Sequence, residues 1–203
     1  MNPLNAFYKS AFLELGCDEA GRGCLAGPVV AAAVILNPEA PIEGLNDSKK
    51  INEKTRMKLA EEIKSKAAYY AIEFIDHKRI DAVNILNASI EAMHQCILTL
   101  SVKPNHIIVD GNRFKPIDDI PFTTIVKGDS KFQSIAAASI LAKTARDQYM
   151  LGLHNEYPEY GWNENKGYPT IRHKLAIEKF GLSPFHRLTF QHALTVKQLT
   201  LFD

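Results

Sequence analysis

Four acidic side chains stand where short apolar runs of the sequence end. Asp18 and Glu19 close the first run, and Asp110 and Asp129 follow two later ones. In a sheet covered by helices, ligands collect at strand ends. Carboxylate oxygens suit Mg²⁺ or Mn²⁺, and converging carboxylates repel one another unless cations lie among them. The pattern therefore indicates a metal-dependent hydrolase, although an Asp beside a Gly is also an ordinary turn residue.

A glycine-punctuated loop follows the first acidic pair. Gly21, Gly23 and Gly27 approach the spacing of a dinucleotide fingerprint, but the third glycine comes one residue late. The loop also leads into a β-branched run, whereas a dinucleotide phosphate needs a helix N-terminus there. A nucleotide-binding oxidoreductase is therefore disfavoured. The glycines can instead let backbone amides approach a sugar or phosphate closely.

The elements that must position these residues follow from the hydrophobic pattern. A cluster of strands comes first, and strands alternating with helices come later, which indicates a mixed α/β sheet with helices packed on it. A tail is expected from Pro184 onward. Strands are predicted over residues 11–17, 28–36, 69–75, 106–109 and 122–126, and helices over residues 52–66, 84–100, 131–150 and 170–180.

Composition narrows the class of protein only a little. The 203 residues, 46% hydrophobic and 23% charged, are enough for one domain with a substantial core. A net charge of +1 says little about partners, so a nucleic-acid binder would have to gather its Lys and Arg on one face. The three cysteines lack disulfide or zinc spacing, and the N-terminus lacks a signal-peptide layout. We expect a cytoplasmic protein without a membrane span.

The first acidic pair opens a long block, Asp18-Glu-Ala-Gly-Arg-Gly-Cys-Leu-Ala-Gly-Pro-Val29, and further blocks follow it along the chain. They are NDSK at 46–49, VDGN at 109–112, KGDSK at 127–131, IAAASILAK at 135–143, RD at 146–147 and KGY at 166–168. Together they resemble the type 2 ribonucleases H, and best the bacterial ribonuclease HII family. The resemblance covers roughly residues 13–190.

The resemblance implies an α/β, ribonuclease H-like fold: a mixed sheet flanked by helices, with a C-terminal helical segment and a tail. It implies a catalytic domain over residues 1–190 and a tail over 191–203. The catalytic and metal-binding acids it implies are Asp18, Glu19, Asp110 and Asp129. It also implies residues that hold the substrate backbone or sense a ribonucleotide 2′-hydroxyl, the group that distinguishes RNA from DNA. These are Gly21, Arg22, Gly23, Ser48, Lys49 and Tyr168.

The activity implied by the resemblance is endonucleolytic. Such an enzyme cuts on the 5′ side of ribonucleotides in DNA duplexes, and cuts the RNA strand of RNA/DNA hybrids. Two Mn²⁺ or Mg²⁺ ions serve catalysis, the ends are 3′-hydroxyl and 5′-phosphate, and the role is removal of ribonucleotides from DNA. A monomer is expected.

Two other functions remain to be weighed. A ribonuclease HIII would prefer long hybrids and carry an extra N-terminal domain, for which a strand near residue 11 leaves no room. A non-catalytic hybrid-binding module would predict damaged carboxylates, whereas all four are present.

Other polar and aromatic residues have plainer interpretations. The basic run between Lys49 and Lys66, Arg56 included, is interleaved with glutamates and is expected to be mostly a solvated helix face. His173 and His186 are expected to serve structure or hydrogen bonding.

The aromatic residues before and within the KGY block carry two further expectations. Tyr160 and Trp162 could be packed in the interior or stack on a substrate. Pro169 stands where the family often has Gly, and its fixed φ could shift Tyr168.

The last residues of the chain carry a separate signal. The peptide Gln198-Leu-Thr-Leu-Phe202 resembles the short motif with which bacterial replication and repair proteins dock on the sliding clamp. Its residues Gln198, Leu199, Leu201 and Phe202 offer one polar and several apolar anchors. The sequence therefore predicts a possible sliding-clamp partner.

Overall fold

The computed structural model of the chain describes residues 4–9 and 13–192. Its centre is a five-stranded mixed sheet in the order β3-β2-β1-β4-β5. The first three strands pair antiparallel, whereas β1, β4 and β5 run parallel. The strands are β1 Glu14–Ala20, β2 Val29–Ile35, β3 Tyr69–Ile75, β4 His106–Asp110 and β5 Phe122–Ile125. The mixed α/β sheet predicted from the sequence is thereby confirmed.

Helices cover both faces of this sheet. On one face, α3 and part of α2 pack on the odd-numbered residues of β1 and β2. On the other face, α1 and α4 cover the even-numbered residues of the same strands. None of the described helices is both long and apolar enough to cross a membrane. The helices are α1 Glu53–Lys66, α2 His77–Val83, α3 Ile85–Thr99, α4 Gln133–Glu156, α5 Trp162–Asn165 and α6 Ile171–Phe180, with 3₁₀ turns at Gly128–Ser130 and Pro158–Tyr160.

Local sequence explains where the elements form. Strand β2 reads VVAAAVI and is buried along its whole length, as expected of an apolar run sandwiched between two helical layers. Asn52, Asp76, Asn84 and Thr170 each accept a hydrogen bond from the backbone N–H three residues on, which caps the helix that follows. The helices predicted to begin near Asn52 and Asn84 therefore begin at capped positions.

Helix α4 lies unusually close to β1. A Cβ added at Gly16 would stand 2.3 Å from the carbonyl carbon of Ser134, so no larger residue fits there without displacing the helix. Ala137, Ala138 and Ala142 are fully buried on the same helix. The small residues of α4 therefore allow a close approach to the sheet and bring its polar side chains next to the end of β1.

Three sequence predictions need correction. Strand β1 does not stop before the acids but runs through them to Ala20, because its pairing with β2 continues as far as Val30. Helix α2 was not predicted, since seven residues offer little periodicity. The chain from Pro184 is not simply a tail: His186 and Arg187 are buried, and His186 forms a β-bridge with Ala26.

Candidate active site

Two of the four acids lie side by side on neighbouring strands. The parallel register of β1 and β4 aligns Cys17 with Val109, so the next residues along each strand are Asp18 and Asp110. Side chains alternate across a sheet, which puts both carboxylates on the face covered by α4. Asp18 accepts a hydrogen bond from Ser139 on that helix. Asp110 accepts one from the backbone N–H of Gly128 at 2.6 Å.

A cavity of about 210 Å³ opens at this end of the sheet. It brings together three of the predicted acids and every residue predicted to contact substrate. It also includes two side chains of α4 that the sequence analysis did not single out, although both lie in the IAAASILAK block. The lining residues are Asp18, Glu19, Ala20, Gly21, Arg22, Gly23, Ser48, Lys49, Asp110, Ser139, Lys143 and Tyr168.

Two acids of this cavity, Asp18 and Glu19, have raised pKa values. Burial first, and then the charges of Glu19 and Asp110, raise the pKa of Asp18 well above its ordinary value. Burial also raises the pKa of Glu19, although Arg22, whose guanidinium donates to it at 3.2 Å, opposes the rise. Desolvation and repulsion between neighbouring carboxylates thus both favour the protonated form of Asp18.

Asp129 stands apart from the other acids. It is buried in the 3₁₀ turn after β5 and does not line the cavity. Burial, followed by the charges of Asp47 and then Asp110, raises its pKa, and its carboxyl group is hydrogen-bonded to that of Asp47. Asp47 is an acidic neighbour that the sequence analysis missed, because an Asp in a turn-rich stretch carries no signal of its partner.

The donor set suits a hard divalent cation. Carboxylate oxygens are the ligands that Mg²⁺ and Mn²⁺ prefer, and a cation would relieve the repulsion that raises the pKa of Asp18. Within residues 4–9 and 13–192, no group of three or more Asp, Glu, His or Cys side chains is already gathered to hold one ion. The chemistry of these residues therefore fits a divalent metal ion.

Ser48 and Lys49 are held at the cavity by a buried ionic network. The hydroxyl of Ser48 is 2.9 Å from that of Ser139, and Arg56 donates to the Ser48 carbonyl at 3.4 Å. Arg56 also pairs with Asp147 at 2.9 Å, and Asp147 in turn binds Lys143 at 2.6 Å. The prediction that Arg56 lies on a solvated face is therefore wrong, because its side chain is buried and paired with Asp147. The sequence could not show this pairing, since the two residues lie 91 positions apart.

Tyr168 stands at the rim of the cavity and is 37% exposed. The Lys143 ammonium lies 5.6 Å from the ring centroid and the Arg146 guanidinium carbon 5.8 Å. Burial and the neighbouring Cys24, which is hydrogen-bonded to the hydroxyl, raise the pKa of Tyr168 to about 12. The hydroxyl thus keeps its proton at neutral pH and can donate to an acceptor.

The backbone around Tyr168 is held despite the adjacent proline. The N–H of Tyr168 donates to the carbonyl of Asn165 at 2.8 Å, and its carbonyl accepts from Thr170 at 2.8 Å. The same carbonyl lies 2.9 Å from Nδ1 of His173. Pro169 is exposed, and the hydrogen bonds on either side of it hold the tyrosine backbone in place.

The histidines and aromatics beyond the cavity form a packed cluster. Trp162 is fully buried and donates from Nε1 to Nε2 of His173 at 3.0 Å. His186 lies 3.2 Å from the same nitrogen, and Tyr160 stacks on Trp162 at 5.1 Å. The structural interpretation of His173 and His186 is confirmed, and Tyr160 and Trp162 pack in the interior instead of facing a substrate.

Comparison with known proteins settles the family. The family model described as Ribonuclease HII matches residues 15–193, nearly the whole length of the chain. The chain belongs to the ribonuclease HII family. It is 57% identical to a ribonuclease HII of Bacteroides thetaiotaomicron, with 91% of this chain and 92% of that protein aligned. It is 54% identical to a ribonuclease HII of Phocaeicola vulgatus, with 96% and 97% aligned.

Solved structures show the same fold. A ribonuclease H2 from Pyrococcus horikoshii superposes with a TM-score of 0.77 at 28% identity, covering 93% of this chain and 98% of that one. The RNase HII of the PCNA:RNase HII complex from Archaeoglobus fulgidus also gives 0.77, at 26% identity and with 92% and 99% covered. A ribonuclease HIII in complex with Mn²⁺ gives 0.70 at 21% identity, with 94% and 70% covered, which is a likeness of fold alone. The ribonuclease H-like fold is therefore confirmed.

The predicted clamp-binding residues, Gln198, Leu199, Leu201 and Phe202, lie outside the residues that the structure describes.

Proposed function

We propose that this ribonuclease HII family member hydrolyses the phosphodiester on the 5′ side of ribonucleotides embedded in DNA duplexes, and also cuts the RNA strand of RNA/DNA hybrids. One observation carries the proposal. A single cavity is lined both by the acids suited to phosphodiester chemistry and by the backbone and tyrosine suited to reading a 2′-hydroxyl. The products expected are 3′-hydroxyl and 5′-phosphate ends, and the cellular role is removal of ribonucleotides from DNA.

The acids are proposed to hold two divalent ions, Mg²⁺ or Mn²⁺. Asp18, Glu19 and Asp110 line the cavity. Asp129 lies close enough to Asp110 that the charge of Asp110 raises the pKa of Asp129. When bound, such ions activate water and neutralise charge on the scissile phosphate and the leaving oxygen. We expect Asp129 to join the other three only after Asp47 releases its carboxyl group.

The remaining residues of the cavity position the substrate. Lys49 lies at the open, solvent-exposed side of the cavity and offers a cation to the phosphate backbone, a contact that places the duplex without reading its sequence. Ser48 is buried and shapes the loop that carries Lys49. The protonated hydroxyl of Tyr168 and the loop Gly21-Arg22-Gly23 are proposed to meet the ribonucleotide sugar.

Cleavage of a labelled DNA duplex containing one ribonucleotide tests the proposal. We expect a cut on the 5′ side of the ribonucleotide that requires Mg²⁺ or Mn²⁺. An all-DNA duplex stays intact, and the Asp110→Asn protein loses orders of magnitude in rate. Cutting only of long hybrids would move the protein toward a ribonuclease HIII-like activity. Near-normal turnover by Asp110→Asn would refute the assignment of that carboxylate.

We further propose that the catalytic unit covers residues 1–190 and works as a cytoplasmic monomer, with the tail 191–203 docking on a sliding clamp. The three cysteines are free and buried, in keeping with a reducing compartment. The PCNA complex of the archaeal relative supports a clamp partner. Deleting residues 198–203 should abolish clamp affinity while leaving cleavage of the free duplex unchanged. Unaltered clamp affinity would refute this role of the tail.

A further inference from the structure

A fully buried arginine from the C-terminal segment lies beneath the glycine loop. The guanidinium of Arg187 donates to the carbonyls of Gly21 at 2.8 Å and Arg22 at 3.0 Å. It also donates to the carbonyls of Gly27 at 3.0 Å and Pro28 at 3.1 Å. All four acceptors are peptide carbonyls, none a carboxylate. Arg187 thus uses most of its five donors to fix one loop.

These contacts determine which way the loop amides point. A trans peptide is planar, and its N–H is directed opposite to its C=O. Since the carbonyls of Gly21 and Arg22 are turned toward Arg187, the N–H groups of Arg22 and Gly23 are turned away from it. The cavity is lined by these same loop residues. In the part of the chain that the structure describes, neither N–H donates to a protein acceptor, so both are available to a ligand.

The arginine is itself held in place by its own segment. The N–H of Arg187 donates to the carbonyl of Leu25 at 2.8 Å, and the N–H of Gly27 donates to that of Phe185 at 3.0 Å. Just beyond, Asp81 accepts from the backbone of Leu188 at 2.8 Å. The segment therefore pairs with the glycine loop as a short ribbon, which fixes the backbone of Arg187 beside the carbonyls that its guanidinium binds.

Burying a guanidinium without a carboxylate partner costs desolvation free energy. An apolar side chain of similar size would pack there without desolvating a charge. What an apolar side chain cannot do is orient two consecutive peptide units, which needs a planar fork of donors. The residue type is thus explained by the orientation of the loop better than by stability.

We propose that Arg187 is a positioning residue for ribonucleotide recognition, which holds the N–H groups of Arg22 and Gly23 toward the 2′-oxygen of the substrate. The inference rests on the proposed function, because it assumes that a ribonucleotide occupies the cavity. Arg187 does not touch the substrate and acts only through the loop.

Two duplexes that differ at one atom group test this role. One carries a single ribonucleotide and the other a 2′-fluoro nucleotide, whose fluorine accepts hydrogen bonds poorly. The proteins compared are the wild type, Arg187→Met, Arg187→Lys and Met93→Ala. Met93 is a buried residue of α3 on the opposite face of the sheet, so its truncation lowers stability without reaching the glycine loop. Rates, and affinities in chelator, are compared at temperatures where each protein is folded.

We expect Arg187→Met to lower the rate on the ribonucleotide duplex by about 10- to 100-fold, the effect of losing hydrogen bonds to a polar group. In chelator, the affinity for the 2′-fluoro duplex should fall far less than the affinity for the ribonucleotide duplex, so the ratio of the two affinities collapses. Arg187→Lys keeps the positive charge but not the planar set of donors, and its ratio should lie between those of the wild type and Arg187→Met. Met93→Ala should keep the wild-type ratio. Equal losses on both duplexes would show a merely structural role and overturn the proposal.

A measurement on the wild-type protein tests the role of the loop amides even if the Arg187 variants do not fold. Hydrogen exchange at the amides of Arg22 and Gly23 should slow when the ribonucleotide duplex is bound in chelator, which prevents turnover. An all-DNA duplex should slow it much less. Equal protection by both duplexes would overturn the inference. A wild-type protein that cuts neither ribonucleotide substrate would refute the proposed function itself. If the wild-type protein cuts and the Arg187 variants keep its ratio between the two duplexes, only the role of Arg187 is refuted.

Discussion

Substituting Gly21 by alanine should destabilise the protein far more than the same change at another glycine of similar conformation. Gly21 has φ +96°, and a Cβ there would lie 2.0 Å from Nε of Arg146. That nitrogen donates to the carbonyl of Pro28 at 2.9 Å, while the rest of the guanidinium binds the carbonyls of Lys166 and Ala26. Arg146 is fully buried and cannot move aside without losing these contacts.

The magnitude follows from two contributions. A positive φ at a residue with a Cβ costs about 1–2 kcal/mol. Losing one hydrogen bond from a charged, buried group costs a further 1.5–3 kcal/mol or so. Gly21→Ala should therefore lower the free energy of unfolding by roughly 3–5 kcal/mol. Gly44→Ala is the matched control, because Gly44 has φ +77° and nothing within 4 Å of its added Cβ. It should lose only the first contribution.

Urea unfolding followed by fluorescence measures both values, since Trp162 is the single tryptophan and is fully buried. Cleavage of the ribonucleotide duplex by Gly21→Ala should also fall, because the shifted Arg146 lies against the ring of Tyr168. Equal destabilisation by Gly21→Ala and Gly44→Ala would refute the reasoning, since it would mean that the Arg146 contact does not constrain position 21.

Three further results are expected. In chelator at neutral pH, Asp18→Asn should raise the free energy of unfolding by on the order of 1 kcal/mol, because it removes a buried carboxyl group whose pKa burial raises; a loss of stability would contradict this. With Mg²⁺ added, the same variant should fail to cleave the ribonucleotide duplex. Burial lowers the pKa of His186 from 6.5 to about 3, so the folded state binds fewer protons and stability falls as the pH drops below 6.5. The loss from this group should be about 2 kcal/mol between pH 7 and pH 5 in urea titrations, and His186→Gln should flatten that dependence. Asp147→Asn should cost about 3–5 kcal/mol by leaving the charge of buried Arg56 unpaired, and wild-type unfolding midpoints would disprove it.

Much of the fold was predictable because its strands and helices follow from hydrophobic patterns over a few neighbouring residues. The period-two and apolar runs located all five strands, and the helix predicted over residues 84–100 matches α3 within a residue or two. The prediction failed at the end of β1, where hydrophobicity stops at Cys17 but hydrogen bonding to β2 continues.

The site divides in the same way. The acids were recognisable by their residue type and their place after apolar runs, and three of the four line one cavity. Asp129 was predicted to share their site, and its carboxyl group is hydrogen-bonded to that of Asp47 and feels the charge of Asp110. Arg56 and Arg187 could not be assigned from the sequence, since a charged residue shows no periodic signal of a distant partner.

By itself, the sequence determined the chemistry available and the order of strands and helices, because residue type and local periodicity depend only on neighbours along the chain. Tertiary structure alone decided which groups meet. Ser48 reaches Ser139 across 91 residues, and Arg187 reaches the carbonyl of Gly21 across 166. Such contacts depend on how helices and loops pack on the sheet, and burial then changes the acidity of the groups that meet there.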